Sequence, residues 1–336
     1  MINSTSFGDL AQSFLLQRRG ADLKAEMSRL NQELVTGQVS DVKAVLAGNT
    51  SYLAGIERDL NTLQGYRTAT NEAAAFTEAM QTALGRIQNV GTGLSQDILT
   101  VAQNGPEPVL DQLSRDARTQ LESIVSALNT FVGGRAVFGG TDTGTSPMAD
   151  VETIMTDIRA AVSGTTSVDD LLTAVDTWFA DPAGYTSVAY TGSSTPLDPL
   201  RIGVDETVNV RLTANDQALK DVIKGVATAA LVDDLTLTLS VEQKREILSR
   251  SGTELLGFQD GLTAIRAETG AAQERIDAIA TRNSIQSTSL EYAKGALLEA
   301  DPYETATKLE EVQFQLQSLY TITARMSELS LVNYIR

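Results

Sequence analysis

Apolar and small residues recur at steps of three and four over unusually long stretches of this sequence. One stretch covers about residues 51–103, and another runs without a break over residues 262–297. Steps of three and four place side chains on one face of an α-helix. Both stretches exceed the ~8–20 residues of an ordinary globular helix, which indicates pairing of the kind found in coiled coils. The second stretch includes two polar positions, Asn283 and Gln286, which we expect to set the register of such a pair.

Both ends of the chain have an apolar stripe of this kind. The N-terminal stripe skips a position at Gly20, which would either allow close packing or weaken the helix, and it stops at Gly37. The C-terminal stripe begins after Asp301 and Pro302, which suit the N-cap and the first helical position. Because a single amphipathic helix is only marginally stable in water, each stripe needs a partner, and the simplest arrangement pairs the two ends antiparallel. The stripe residues are Leu16, Leu23, Met27, Leu30 and Leu34 at the front, and Leu309, Val312, Leu316, Leu319, Met326 and Leu329 at the back.

The middle of the chain has a different composition. A third helical stripe, residues 110–131, ends in the glycine-rich segment 133–140. Residues 141–200 are rich in Thr, Ser, Gly, Asp and Pro, which favours turns and loops. Residues 200–212 alternate with β-branched side chains and predict one or two strands, and residues 215–232 predict a short helix.

The acidic middle segment and the helical ends together define the expected architecture. Residues 141–240 contain 15 acidic and 5 basic residues, which is typical of a solvent-facing domain. We predict a mainly α protein in which both chain ends form a long antiparallel helical bundle or coiled coil, with a mixed α/β domain inserted in the middle. The expected parts are the terminal helices 1–45 and 295–336, a helical bundle of 46–137 and 241–294, and the insert 138–240.

The absence of histidine and cysteine excludes many functions. It removes thiol nucleophiles, histidine bases and almost every zinc, copper, haem or iron–sulfur site, so we expect no metal and no cofactor. The net charge of −17 disfavours binding to nucleic acid and to anionic membranes. No apolar run approaches the roughly 20 residues of a membrane span, and the N-terminus lacks a signal-peptide pattern. We therefore expect a soluble chain that, if exported, leaves the cell without a cleaved signal.

Adjacent carboxylates are the best candidates for catalysis. A glycosidase needs two carboxylates held about 5–9.5 Å apart in a cleft, whereas adjacent acidic residues on an acidic surface are usually solvated or cap helices. The glycines of residues 133–140 are not followed by the Lys-Ser/Thr of a phosphate-binding loop, which favours a turn. We predict no enzymatic activity and no catalytic residues. The carboxylate pairs are Asp169 with Asp170, Asp205 with Glu206, and Asp233 with Asp234.

Several segments resemble the flagellin family. Residues 30–41, Leu-Asn-Gln-Glu-Leu-Val-Thr-Gly-Gln-Val-Ser-Asp, are similar to the segment that follows the first helix of that family. Residues 300–309 and 315–334 are similar to its C-terminal helix, and this is the most specific match. Residues 129–141 and 204–231 resemble the flagellin-like hook-associated members more than filament subunits. The sequence departs from the family after Asp41, where it lacks the Asp-Asp-Pro-Ala-Gly run that is common in filament flagellins. This departure weakens the resemblance to filament subunits more than that to the hook-associated members.

The resemblance implies a structural subunit of the bacterial flagellum that joins the hook to the filament. It implies export by the flagellar type III apparatus, assembly outside the cell, terminal helices in an inner tube and a middle domain that faces solvent. The eleven stripe residues would then pack neighbouring subunits, although the pattern alone fits a core within one chain equally well. Expected partners are a hook-associated junction protein, flagellin, further copies in a ring or helical tube, and an export chaperone. The alternatives are filament flagellin, a secreted hydrolase with paired carboxylates on a helical stalk, and a coiled-coil translocator of a virulence secretion system.

Overall fold

The computed structural model describes residues 5–46, 50–233 and 237–334. Helices dominate this part of the chain, and the two sheets found in it have two antiparallel strands each. The predicted mainly α fold class is confirmed. The helices are α1 (Thr5–Thr36), α2 (Val42–Val45), α3 (Ser51–Val101), α4 (Glu107–Leu128), α5 (Val151–Val162), α6 (Val168–Ala180), α7 (Gln217–Ala230), α8 (Val241–Gly257), α9 (Gln259–Leu298) and α10 (Pro302–Tyr334), with a π-helical turn at Tyr185–Ala189. The strands are β1 (Phe131–Val132), β2 (Arg135–Ala136), β3 (Leu200–Gly203) and β4 (Glu206–Val208).

The chain divides into two compact units, which we call the terminal unit and the central unit. The terminal unit comprises residues 1–62 and 285–336, and the central unit comprises residues 63–284. Among the described residues, no helix is long and apolar enough to cross a membrane.

The terminal unit is organised by the pairing of α1 with α10. α1 ends at Thr36 because Gly37 adopts a φ of +66°, a left-handed conformation that stops a helix and that glycine tolerates. The Gly37 carbonyl accepts a hydrogen bond from the Ala300 amide at 2.9 Å, and the Val39 amide donates to the Leu298 carbonyl at 2.9 Å. These bonds hold the segment after α1 beside the junction of α9 and α10. Leu30, near the end of α1, packs against Leu309, near the start of α10, so the two helices run antiparallel, as predicted.

The start of α10 also agrees with the sequence. The Asp301 side chain accepts hydrogen bonds from the amides of Tyr303 at 2.8 Å and Glu304 at 3.2 Å. Pro302 occupies the first helical position, where its missing amide hydrogen has no consequence. The predicted N-cap is therefore confirmed.

The core of the central unit depends on close packing of helices through small residues. A β-carbon at Gly225 of α7 would lie 2.7 Å from Leu255 of α8, so a larger residue would not fit there. The buried Ser251 of α8 donates to the Gly225 carbonyl at 2.6 Å, and the buried Ser95 of α3 donates to the Gly252 carbonyl at 2.8 Å. These bonds satisfy buried polar groups and fix the position of each helix along its neighbour.

Residues 141–200 contain two helices that composition did not predict. α5 is capped by Asp150, which accepts from the Thr153 amide at 2.8 Å. α6 is capped by Ser167, which accepts from the Asp170 amide at 3.1 Å. The Asp and Ser residues that favoured turns in the sequence therefore start helices, because the same side chains that make turns also cap helix N-termini.

The strands predicted over residues 200–212 form the hairpin β3–β4. Asn283 of α9 is buried and donates from its side chain to the Ile202 carbonyl at 3.1 Å. The polar position on α9 therefore holds a strand of the hairpin, where a helical partner was expected. Gln286 is exposed, so the prediction that it lies in the core of a helical pair is wrong. The prediction failed because a spacing of three and four residues identifies one face of a helix. It does not show whether another element covers every position on that face.

Candidate assembly surface

The N-terminal and C-terminal stripes meet within the terminal unit. Leu30 of α1 is buried against Leu309 and Val312 of α10, and Leu23 and Met27 pack partly buried against this cluster. Burying apolar side chains stabilises by roughly 25 cal/mol per Å² removed from water, so this cluster holds the helix pair together. Much of the predicted packing surface is thus used within one chain.

The remaining stripe residues differ in their exposure. Leu316 and Leu319 are buried, Leu16 and Met326 are half-buried, and Leu34 is 41% exposed. The side chain of Leu329 lies outside the described part of the molecule. The role of the eleven stripe residues in contacts between subunits therefore stays a prediction.

A close helix contact extends the cluster along α1. A β-carbon at Gly20 would lie 3.3 Å from the Leu319 side chain, so the glycine at the skipped stripe position allows close packing. The Lys24 ammonium group lies 5.8 Å from the centre of the Tyr320 ring, within the range of a cation–π contact.

A buried carboxylate connects α1 to the segment that follows it. Glu33 is 5% exposed, and its side chain accepts hydrogen bonds from the Arg29 guanidinium at 2.7 Å and from the Ser40 amide at 2.8 Å. Arg29 also pairs with Glu26, and the hydrogen bond from Arg29 lowers the pKa of Glu26 below its ordinary value. Sequence reasoning missed this role, because a glutamate on a long helix is normally solvated. The only available signal was the position of Glu33 within the segment 30–41 that resembles the flagellin family.

The terminal unit also exposes many large apolar side chains, and all of them except Leu34 lie outside the stripes. Tyr303 is 84% exposed and Phe314 is 70% exposed, and their spacing of eleven residues puts them on one face of α10. Contiguous exposed apolar surface usually marks a site of interaction. We call the following residues of this unit the exposed apolar set: Phe14, Leu15, Leu34, Val35, Tyr52, Ile285, Tyr292, Tyr303, Phe314, Tyr320 and Ile322. In the described residues of the longer central unit, the corresponding side chains are Val109, Phe131, Val204 and Leu256.

The carboxylate pairs considered for catalysis have structural partners. Asp169 pairs with Arg250 at 2.6 Å, and Asp233 pairs with Arg115 at 2.7 Å. Glu206 accepts hydrogen bonds from Arg275 at 2.9 Å and from Arg282 at 3.1 Å. Both bonds lower the pKa of Glu206, and the bond from Arg275 has the larger effect on that pKa.

The other members of these pairs and the glycine-rich segment are also placed by local structure. Asp170 lies in the first turn of α6, Asp205 has a φ of +57° in the β3–β4 turn, and Asp234 lies outside the described residues. Gly133 and Gly134 form the turn of the β1–β2 hairpin, as the sequence favoured. No group of three or more Asp or Glu side chains in the described ranges is placed to hold a metal ion.

The C-terminal helices match a known protein family. Residues 258–335 match the family model of the bacterial flagellin C-terminal helical region. This segment contains α9 and α10, and α10 supplies half of the α1–α10 contact. The chain therefore has a flagellin-type C-terminal region, as the resemblance of residues 300–309 and 315–334 predicted.

Solved structures extend the similarity beyond this region. A structure described as a flagellar hook-associated protein from Vibrio parahaemolyticus is 14% identical, with a TM-score of 0.53, and the match covers 75% of this chain and 99% of that chain. The crystal structure of Bacillus cereus FlgL is 15% identical over 77% of this chain and 99% of that chain, but its TM-score of 0.36 is too low to support an argument. No sequence among curated proteins matches the chain. The predicted resemblance to the flagellin family is confirmed in the C-terminal region. The match to the Vibrio structure shows a shared fold.

Proposed function

We propose that this protein is a structural subunit of the bacterial flagellum that joins the hook to the filament as a hook-associated junction protein. The observation that supports this most directly is the match of residues 258–335 to the flagellin C-terminal helical region. The fold shared with the Vibrio hook-associated structure favours the hook-associated role.

The surface of the terminal unit suits such a role. Its apolar stripes stabilise the pair α1–α10, while the exposed apolar set remains uncovered. An isolated chain would leave this apolar surface in water, and packing against neighbours removes it from water. We assign these contacts to further copies in a ring or helical tube and to other axial proteins, namely a hook-associated junction protein and flagellin.

The proposed junction role includes the remaining predictions on export, location and domain roles. The protein would act outside the cell, after export without a cleaved signal peptide, and an export chaperone would cover its ends before assembly. Residues 1–45 and 295–336 would serve as the terminal assembly helices, residues 46–137 and 241–294 as the bundle, and residues 138–240 as the solvent-facing domain. The role is structural and needs no catalytic residue.

A deletion strain tests the proposal. Cells without this protein should keep their hooks but release flagellin into the medium, because nothing connects the filament to the hook. Expression of the full chain should restore attached filaments, which electron microscopy would count. Attached filaments of normal length in the deletion strain would contradict the junction role.

Filament flagellin is the alternative, since its C-terminal region belongs to the same family model. Seeded polymerisation separates the two roles. When purified chain is added to filament seeds, a junction subunit should bind the seed ends without lengthening them, whereas a filament subunit should extend the seeds into long filaments.

A further inference from the structure

The central unit contains a groove with an apolar floor. Its volume is about 480 Å³, and its lining includes Ala73 and Phe76 of α3, Val132 of β1 and Leu200 of β3. A concave, mostly apolar surface with a few polar groups is the usual form of a binding site. This groove has no part in the α1–α10 contact, which lies in the terminal unit.

Two arginines line the groove without a partner among the described residues. Arg135 of β2 and Arg201 of β3 are exposed, and neither takes part in an ion pair or a side-chain hydrogen bond within that part of the chain. Most lysines and arginines of the central unit do have such partners, for example Lys244 with Asp111 at 2.6 Å. One carboxylate, that of Glu72, also lines the groove. The groove therefore combines apolar surface with a net positive charge, since two guanidinium groups stand against one carboxylate.

We propose that this groove binds an acidic, apolar segment of a second copy of this chain. The inference rests on the proposed function, which brings copies into contact. Each copy has 43 acidic and 26 basic residues and a net charge of −17, so two copies repel one another at long range. A stable contact between them needs local positive charge, and the guanidinium groups of Arg135 and Arg201 supply it beside apolar surface.

The arrangement also fits the geometry of a growing assembly. A groove on one copy that receives a different segment of the next copy makes a head-to-tail interface. Such interfaces close into rings or continue as helical tubes, whereas a two-fold contact stops at a dimer. The groove thus gives the central unit a contact of its own, in addition to those of the terminal unit.

A single thiol tests the occupancy of the groove. The chain has no cysteine, so Ala75→Cys places a unique reactive group at an exposed position in the groove lining. The variant, coupled to benzophenone maleimide and irradiated in assembled flagella, should give a cross-linked product of twice the chain mass. The unmodified thiol should react with maleimide in the purified chain and about tenfold more slowly after assembly. Arg211→Cys, at an exposed residue of the same unit outside this groove, serves as the control and should give no such product.

Charge reversal supplies the second measurement. Arg135→Glu combined with Arg201→Glu should reduce the amount of chain in purified flagella about tenfold or more, because carboxylates would then face carboxylates. Arg211→Glu reverses one charge outside the groove, half the change of the double variant, at an arginine that is likewise unpaired among the described residues, and should assemble normally. Normal assembly of the double variant would overturn the proposal. So would a thiol at position 75 that stays equally reactive in flagella, or a cross-link to a protein of another mass.

The outcomes separate this inference from the proposed function. If the unaltered chain is missing from purified flagella, the proposed function is wrong. In that case the cross-linking is done on the purified chain over a concentration series. A product of twice the chain mass that is lost in the charge-reversed background supports the groove contact, and its absence at every concentration overturns it.

Discussion

Gly20 of α1 faces Leu319 of α10 so closely that a β-carbon at residue 20 would lie 3.3 Å from the leucine side chain. The close approach lets the two helices bury the stripe residues between them. Gly20→Leu should therefore force α1 and α10 apart, since overpacking a close contact costs about 1–3 kcal/mol. Hydrogen exchange should show lower protection of the α10 amides.

Gly55 provides the matched control. It lies in α3 of the same unit, and a β-carbon there would meet no atom within 4 Å. Gly55→Leu should leave α10 protected and raise helix stability by up to ~1 kcal/mol, because leucine is the better helix former. Equal loss of α10 protection in both variants would show that the Gly20–Leu319 contact has no special role.

The second prediction concerns the buried carboxylate of Glu33. Glu33→Ala removes the acceptor of the Arg29 guanidinium and of the Ser40 amide, and leaving these donors unsatisfied costs about 1–3 kcal/mol. We expect faster exchange of the Ser40 amide and a lower melting temperature of the terminal unit. Glu26→Ala removes a more exposed partner of Arg29 and should cost less than ~1 kcal/mol. If Glu26→Ala proved as damaging as Glu33→Ala, burial of Glu33 would not be the reason for its effect.

Part of this fold could be predicted from the sequence alone. Helices α1, α3, α4 and α10 could be predicted, as could the end of α1 and the start of α10, because periodicity and capping are local properties. The third stripe was carried too far, since α4 ends at Leu128 and Phe131 lies in β1. The antiparallel pairing of the ends followed from the need to bury two apolar stripes. Helices α5 and α6 were missed, because each is short and begins with residues, Asp150 and Ser167, that also form turns.

The candidate assembly surface was harder to predict than the helices. Periodicity identifies the stripe that a helix buries, but it does not say whether the partner is the same chain or another one. Leu30 and Leu309 meet within one chain, whereas Tyr303 and Phe314 lie off the stripe and remain exposed. Arg135 and Arg201 are 66 positions apart in sequence, and only the folded chain brings them to one groove.

The third prediction concerns acid and the β3–β4 hairpin. Hydrogen bonds from Arg275 and Arg282 lower the pKa of Glu206 below its ordinary value of 4.5. A carboxylate with a lowered folded-state pKa stabilises the fold above its unfolded pKa, and this contribution disappears as pH falls through the folded value. We expect protection factors of residues 200–208 to fall as the pH drops below about 4.5. Glu206→Gln should remove this step, so an unchanged step in that variant would assign it to another group.

The fourth prediction concerns removal of residues 301–336. The truncated chain loses α10, while the core of the central unit is complete without it. We expect a folded protein with a largely helical circular dichroism spectrum that no longer enters flagella, because α1 has lost the partner of its apolar stripe. Loss of all helicity would instead make this segment an ordinary part of a single core.

The last prediction separates the exposed apolar set from the contact inside the terminal unit. Tyr303→Ser combined with Phe314→Ser changes two side chains that are 84% and 70% exposed, so the α1–α10 cluster should keep its stability. Assembly should nevertheless decrease, because aromatic side chains contribute strongly where they become buried at an interface. Val204→Ser with Leu256→Ser, at residues 67% and 54% exposed in the central unit, is the matched control and should assemble more fully. Assembly would be measured as the amount of each variant in purified flagella, with melting temperatures recorded beside it. If the double variant on α10 assembles like the unaltered chain at an unchanged melting temperature, the outer face of α10 makes no contact between subunits.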